Sequence, residues 1–174
     1  MYHTFKLTAL VILIGFILMG CATTKMVREI PTYSQDQEVY LGEDLKLKIQ
    51  DAYWTDQINF QKADAKFLVI NLSITNIGKK TTTIKPPVFT LLHEQGYEYE
   101  ISYRGIAGGG PSDNFIEKLA VDRLSPLIPV RGKVVFDVPK GNYVMIVSEG
   151  EKRDKGLFYR GKDLYKYRLS PQER

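Results

Sequence analysis

The sequence predicts an all-β fold: an immunoglobulin-like antiparallel β-sandwich of about eight short strands, behind an N-terminal signal helix and a tether. Three observations predict it. Apolar and polar residues alternate with period 2 in Leu45–Gln50 and again in Lys66–Asn76. Turn residues, such as Asn76-Ile77-Gly78, Glu94-Gln95-Gly96 and Lys140-Gly141-Asn142, cut the chain into short pieces. Almost no stretch carries a helical period. The Cys…Trp…Cys spacing of antibody domains is missing, which excludes that subtype.

The chain opens with an export signal. An apolar run, Leu7 to Met19, follows His3 and Lys6 and ends on a small residue, Gly20. The run is short of the about 20 apolar residues that span a bilayer. Leu18-Met19-Gly20-Cys21 resembles the lipobox of bacterial lipoproteins. That resemblance implies removal of residues 1–20, a diacylglycerol thioether on Cys21 and acylation of its new amino terminus. The membrane, held through lipid on Cys21, is then the first expected partner. Ala22, not Asp, follows the cysteine, which resembles lipoproteins of the outer membrane where a cell has two membranes.

Loss of the signal leaves 154 residues, enough for one domain with its own core. Cys21 is the only cysteine and the implied lipid would consume it, so a disulfide within the mature chain, a thiolate metal site and a catalytic thiol are all excluded. The formal charge is +4, or +3 once Lys6 leaves with the signal. That is too mild for a nucleic-acid binder, which concentrates basic charge on one face. From Glu151 to Arg174, eight basic residues meet four acids. This reads as a solvated basic end, with contact to anionic headgroups or an acidic partner as the alternative.

Residues 21–37 are polar, contain Pro31 and show no clean period, so they read as a lipidated tether. Pairing of part of it as an edge strand is the alternative. The sandwich is expected over 38–170, with 171–174 as a tail. Leu45, Leu47 and Ile49 mark the first half-buried strand, with Ala52–Trp54 as its expected continuation. Asp56 to Asp64 reads as a polar loop plugged by Phe60. In the strongest strand, Leu68, Ile70, Leu72 and Ile74 share one face and Asn71, Ser73 and Thr75 the other. Pro86-Pro87 predicts an edge or a crossing between sheets. Val88–His93 and a partner bearing Tyr97, Tyr99, Ile101 and Tyr103 on one face form a hairpin around Gly96. Arg104 to Pro111 reads as a mobile loop, and Ser112–Asn114 as the cap of one helical turn, Phe115–Ala120. Lys133–Pro139 and Tyr143–Ser148 read as a hairpin, followed by one or two strands over Leu157–Leu169.

Phe67–Gly78, Glu94-Gln95-Gly96-Tyr97 and Val135–Gly141 together resemble a bacterial family of secreted immunoglobulin-like domains of unknown function, often carried on lipoproteins. The shared motifs are core and turn positions. They imply the fold and assign no activity.

No residue set points to catalysis. His93, the sole histidine after the signal, has no nucleophile elbow nearby in sequence, and with one histidine and no free thiol a transition-metal site lacks ligands. Glu98 and Glu100, about 7 Å apart along a strand, have glycosidase-like spacing but read as an ordinary wet face. The triple glycine 108–110 lacks the Gly-Lys-Ser/Thr ending of a phosphate loop. The expectation is a non-enzymatic accessory or interaction module without cofactor or metal, bound to an envelope protein and to no nucleic acid. Binding is expected through loops and open sheet edges, with Arg104, Asp113 and Asn114 as candidate contacts. The alternative is a small-ligand or cell-wall-glycan binder that uses the tyrosines and the same loop.

Overall fold

The computed structural model describes residues 29–107, 114–121, 123–152 and 158–174. The signal, Cys21, the first part of the tether, the triple glycine and Asp113 lie outside the described residues. In chain order the strands are β1 (Thr32–Ser34), β2 (Glu38–Leu41), β3 (Leu45–Ile58), β4 (Gln61–Asn76), β5 (Val88–His93) and β6 (Glu98–Tyr99), then β7 (Pro129–Asp137), β8 (Tyr143–Lys152), β9 (Phe158–Arg168) and β10 (Gln172–Glu173). Two short helices, α1 (Tyr103–Ala107) and α2 (Phe115–Val121), separate β6 from β7. The first sheet runs β1-β9-β8-β5-β6; the second runs β10-β3-β4-β7, with β2 also on β3. Their apolar faces enclose the core of a β-sandwich.

The expected alternation builds that core. Leu68, Ile70, Leu72 and Ile74 of β4 pack inward with Leu47, Ile49, Ala52 and Trp54 of β3. Phe89, Leu91, Met145, Val147 and Tyr167 face them from the first sheet. On β3 the inward residues change from odd to even numbers between Ile49 and Ala52. A register shift there makes this possible: Ile49 pairs with Leu72 and Asp51 with Asn71, leaving Gln50 as the extra residue of a bulge.

Phe67, Val69 and Val135 point to the outside of the second sheet, where Ile106 of α1 and Ile58 cover them. Gly105 lets α1 lie that close: a Cβ there would sit 2.5 Å from Val135 Cγ1. Thus Tyr103–Ala107 is helix, where the sequence reads as the end of the tyrosine strand at Tyr103 and as mobile loop from Arg104.

Other expectations are corrected. Asp56–Asp64 is no loop, because β3 and β4 run on to a turn at Asn59-Phe60, and Asn59 has φ 49°. Phe60 is 96% exposed at the tip and plugs nothing. The tyrosine strand is only Glu98–Tyr99, and Tyr97 and Tyr103 are exposed. β7 and β8 do not form a hairpin: β7 pairs with β4, β8 with β5 and β9, and the segment after Pro139 crosses between sheets. Residues 77–87, with Pro86-Pro87, make another crossing, from β4 to β5. β1 and β10 lie in the stretches read as tether and tail, and both pair in parallel, with β9 and β3. Among the described residues the strand count therefore rises to ten, through short strands of two to four residues.

The sandwich has two distinct ends. Asn76, Leu45, Pro129, Val88 and Ser148 stand at one, joined across the sheets by a cleft lined by Leu41, Leu45, Ser148 and Gly150. The Asn59-Phe60 turn, Asp137, His93 and Tyr143 stand at the other.

Candidate functional site

Of the three contact residues expected from sequence, Arg104 and Asn114 are bound within the fold and not on a free loop. Arg104 sits on α1, and its Nη2 reaches Asp64 Oδ2 at 2.6 Å and Asp137 Oδ2 at 3.0 Å. The Asp137 carboxylate also accepts the backbone N–H groups of Asp64 (2.8 Å) and Ala65 (3.0 Å). Burial pushes this carboxyl up, but those N–H donors and the Arg104 guanidinium outweigh it and hold its pKa below the ordinary 3.8. Arg104 thereby ties α1 to β4 and to the end of β7. Asn114 is buried, and its Oδ1 accepts the N–H groups of Ile116 (3.1 Å) and Glu117 (3.4 Å), capping α2. Asp113 lies outside the described residues.

A built surface exists instead on the outer face of the second sheet. It is a groove of about 440 Å³ lined by Gln50, Asp51, Tyr53, Asn71, Lys118 and Arg131, with Leu72, Gly132 and Lys133 completing it. The bulge makes its floor, because it turns two successive polar side chains, Gln50 and Asp51, to the same outer face. Gln50 Nε2 donates to Ser73 Oγ (2.7 Å), and Asn71 Nδ2 donates to Asp51 Oδ1 (2.6 Å). Arg174 borders the groove through its contacts with two of the lining residues, Asp51 and Tyr53. Its N–H donates to Trp54 O at 3.2 Å, its Nη2 lies 3.3 Å from Asp51 Oδ2, and its guanidinium sits 4.1 Å above the Tyr53 ring. On the wall, Lys118 Nζ donates to Arg131 O (2.7 Å). Lys118, Arg131, Lys133 and Arg174 thus outnumber Asp51, and the groove suits a polar, acidic ligand.

His93 stands elsewhere, at the Phe60 end. Its ring packs 5.0 Å from that of Tyr143, and its Nδ1 accepts the Gln95 N–H at 3.3 Å. This is a hairpin-side histidine in an aromatic cluster with Tyr97. Among the described residues, no three His, Cys, Asp or Glu side chains are grouped to hold a metal. Among them too, no helix is long and apolar enough to cross a membrane.

Sequence reasoning missed the groove because its residues look like ordinary polar positions. The available signal was the odd-to-even change along β3, which marks the bulge.

The family described as "Domain of unknown function (DUF4352)" matches residues 34–153, most of the chain. The chain belongs to this family. The DUF4352 match ends before β9, yet β9 lies between β1 and β8 inside the first sheet, so the folded unit extends past the matched residues. Among solved structures, the chain is similar to the secreted Mycobacterium tuberculosis protein MPT63, with 15% identity over 81% of this chain and 98% of that one, at a TM-score of 0.54. It is similar to the yjhA protein of Bacillus subtilis, with 11% identity, 79% and 99% coverage and a TM-score of 0.51. It is also similar to a candidate lipoprotein of Staphylococcus aureus, with 9% identity, 79% and 97% coverage and a TM-score of 0.51. At these identities the likeness is one of fold. No curated protein matches the chain.

Proposed function

We propose that this protein is a lipid-anchored cell-envelope lipoprotein whose DUF4352 sandwich is a non-enzymatic interaction module. The observation that carries the binding part is the outer-face groove, with four basic side chains around Asp51 on a floor built by the β3 bulge. Its chemistry fits an acidic segment of an envelope protein partner. Bulges recur where a sheet re-aims side chains for a task, which supports the same reading. Open edges are a weaker alternative: the outer strands β1, β2, β6 and β10 have four residues or fewer, and the nine-residue edge β7 is covered by α1, α2 and the Ser102 N–H on Val135 O. The anchor part rests on Leu18-Met19-Gly20-Cys21, and it is supported by structural neighbours that include a secreted protein and a candidate lipoprotein.

A pull-down from detergent-solubilised membranes after crosslinking tests the binding. A stoichiometric protein should be captured by the wild type and lost, with unchanged circular dichroism, in Arg131→Glu. Equal capture by Arg131→Glu would remove the groove from the reading. A second reading, glycan binding, gains from one observation: Tyr97 (60% exposed) and Tyr103 (71%) are available for stacking on sugars. Specific retention of cell-wall glycan, abolished by Tyr103→Ala, would favour it over a protein partner.

A further inference from the structure

Exposed apolar side chains gather at the Asn76 end. Ser125-Pro126-Leu127-Ile128 is a β-turn, closed by the Ile128 N–H on Ser125 O at 3.4 Å. Pro126 takes its second position, and Leu127 takes the third with φ 63°. That arrangement has the marks of a type II turn, whose third position favours Gly or Asn. A leucine there strains the backbone. It nevertheless holds its side chain out, 74% exposed, beside Ile128 at 62%. The turn is held in place by the Leu127 N–H on Asn76 O at 2.7 Å. Asn76 is itself fully buried, and its Nδ2 donates at 2.8 Å to both Lys80 O and Leu124 O. Those bonds bind the 125–128 turn to the 77–80 turn, where exposed Ile77 stands beside exposed Lys79 and Lys80. Arg123, next to Leu124, is exposed as well. The acids on this end are on other elements: Glu43 and Asp44 in the β2–β3 turn, with Asp44 against Gly78, Glu149 on β8, and Asp163 on β9, which accepts the Ser148 hydroxyl at 2.7 Å.

We infer that the Asn76 end is a membrane-facing surface: Leu127 and Ile128 enter the headgroup layer of an anionic bilayer, and Lys79, Lys80 and Arg123 meet its phosphates. The inference rests on the lipid anchor at Cys21 proposed above. The chain outside the described residues argues for a bilayer as the occupant. Glu29–Pro31 run beside Lys162–Tyr165, and Asp163 pairs with Ser148 at the Asn76 end. The eight residues from Cys21 to Glu29 reach at most about 26–29 Å. β3 alone, Leu45–Ile58, carries the Phe60 tip about 45 Å from the Asn76 end. The anchor therefore holds the Asn76 end within that distance of the bilayer, whereas the Phe60 tip is free to stand about 45 Å farther off. Apolar side chains beside lysines form the chemistry that anionic headgroups recognise.

The test uses the full chain, matured in cells and reconstituted in vesicles containing phosphatidylglycerol. Nitroxides are placed at Leu127→Cys and, as a control, at Phe60→Cys. Mass spectrometry first reads the modification of Cys21. At 127, collisions with a water-soluble nickel chelate should be lost and collisions with oxygen should rise; at 60 neither should change. A water-exposed label at 127 on a chain with lipidated Cys21 overturns the inference alone. An unmodified Cys21 overturns the anchor and the inference with it. A photo-crosslinker at 127 that captures lipid in cells supports the bilayer, whereas capture of a protein overturns it.

Discussion

Two polar groups, one buried and one half-buried, show how neighbours decide what a side chain contributes. Tyr167 is fully buried, and its hydroxyl is the one buried side-chain polar atom without a hydrogen-bond partner among the described residues. Burial pushes its phenol pKa well up, because the phenolate would lie inside the core. An unsatisfied hydroxyl costs about 1–3 kcal/mol of desolvation, so Tyr167→Phe should leave urea stability unchanged or raise it by about 1 kcal/mol. A clear loss would mean that the hydroxyl is bonded in solution. Asp137 is the opposite case, a carboxylate with three donors. Its folded pKa lies below 3.8. A depressed pKa contributes stability that is full above the unfolded value of about 3.9 and is lost as pH falls through the folded value. Asp137→Asn should therefore lower the urea midpoint at neutral pH, and its gap to wild type should narrow as pH falls below the unfolded value and through the depressed folded one. A constant gap at all pH values would show that the charge is not what the donors hold.

At the scale of elements, β3 carries the most information. Its inward residues are Leu47 and Ile49, then Ala52 and Trp54, a change of parity that a flat strand cannot bury on one side. Deleting Gln50 should remove the bulge and keep the pairs Ile49–Leu72 and Asp51–Asn71. The expected variant folds, with the β spectrum of wild type and a modest loss of stability, but has a reshaped groove and weakened partner capture. Unfolding of this deletion would show that the bulge is required for the twist of the sheet. The parity change was legible in the sequence. The role of Arg104 was not, because its partners Asp64 and Asp137 are 40 and 33 residues away and meet it only when α1 docks on Phe67 and Val135.

At the scale of the molecule, the chain closes its first sheet late. β9 sits between β8 and β1, beyond the DUF4352 match that ends at Arg153. Truncation after Arg153 would strip β8 of one neighbour and remove Tyr167 from the core, so far-ultraviolet circular dichroism should show an unfolded chain. Folding of that fragment would place the stable unit within the matched residues. The sequence by itself determined the β class, most strand positions, the inward set of β4, the Gly96 hairpin and the cap of α2. These follow from period, turn chemistry and capping, which are local and act over a few residues. It also carried Leu18-Met19-Gly20-Cys21, on which the proposed anchor rests and whose reading needs no fold. Only the tertiary structure decided that β7 pairs with β4 and not with β8, that β1 and β10 join the sheets in parallel, and that Arg104 and Asn114 are bound within the fold. Strand partners are chosen by burial across the whole sandwich. A strand buried on one face reads the same whichever neighbour supplies its hydrogen bonds, so its pattern is visible in the sequence and its partner is not.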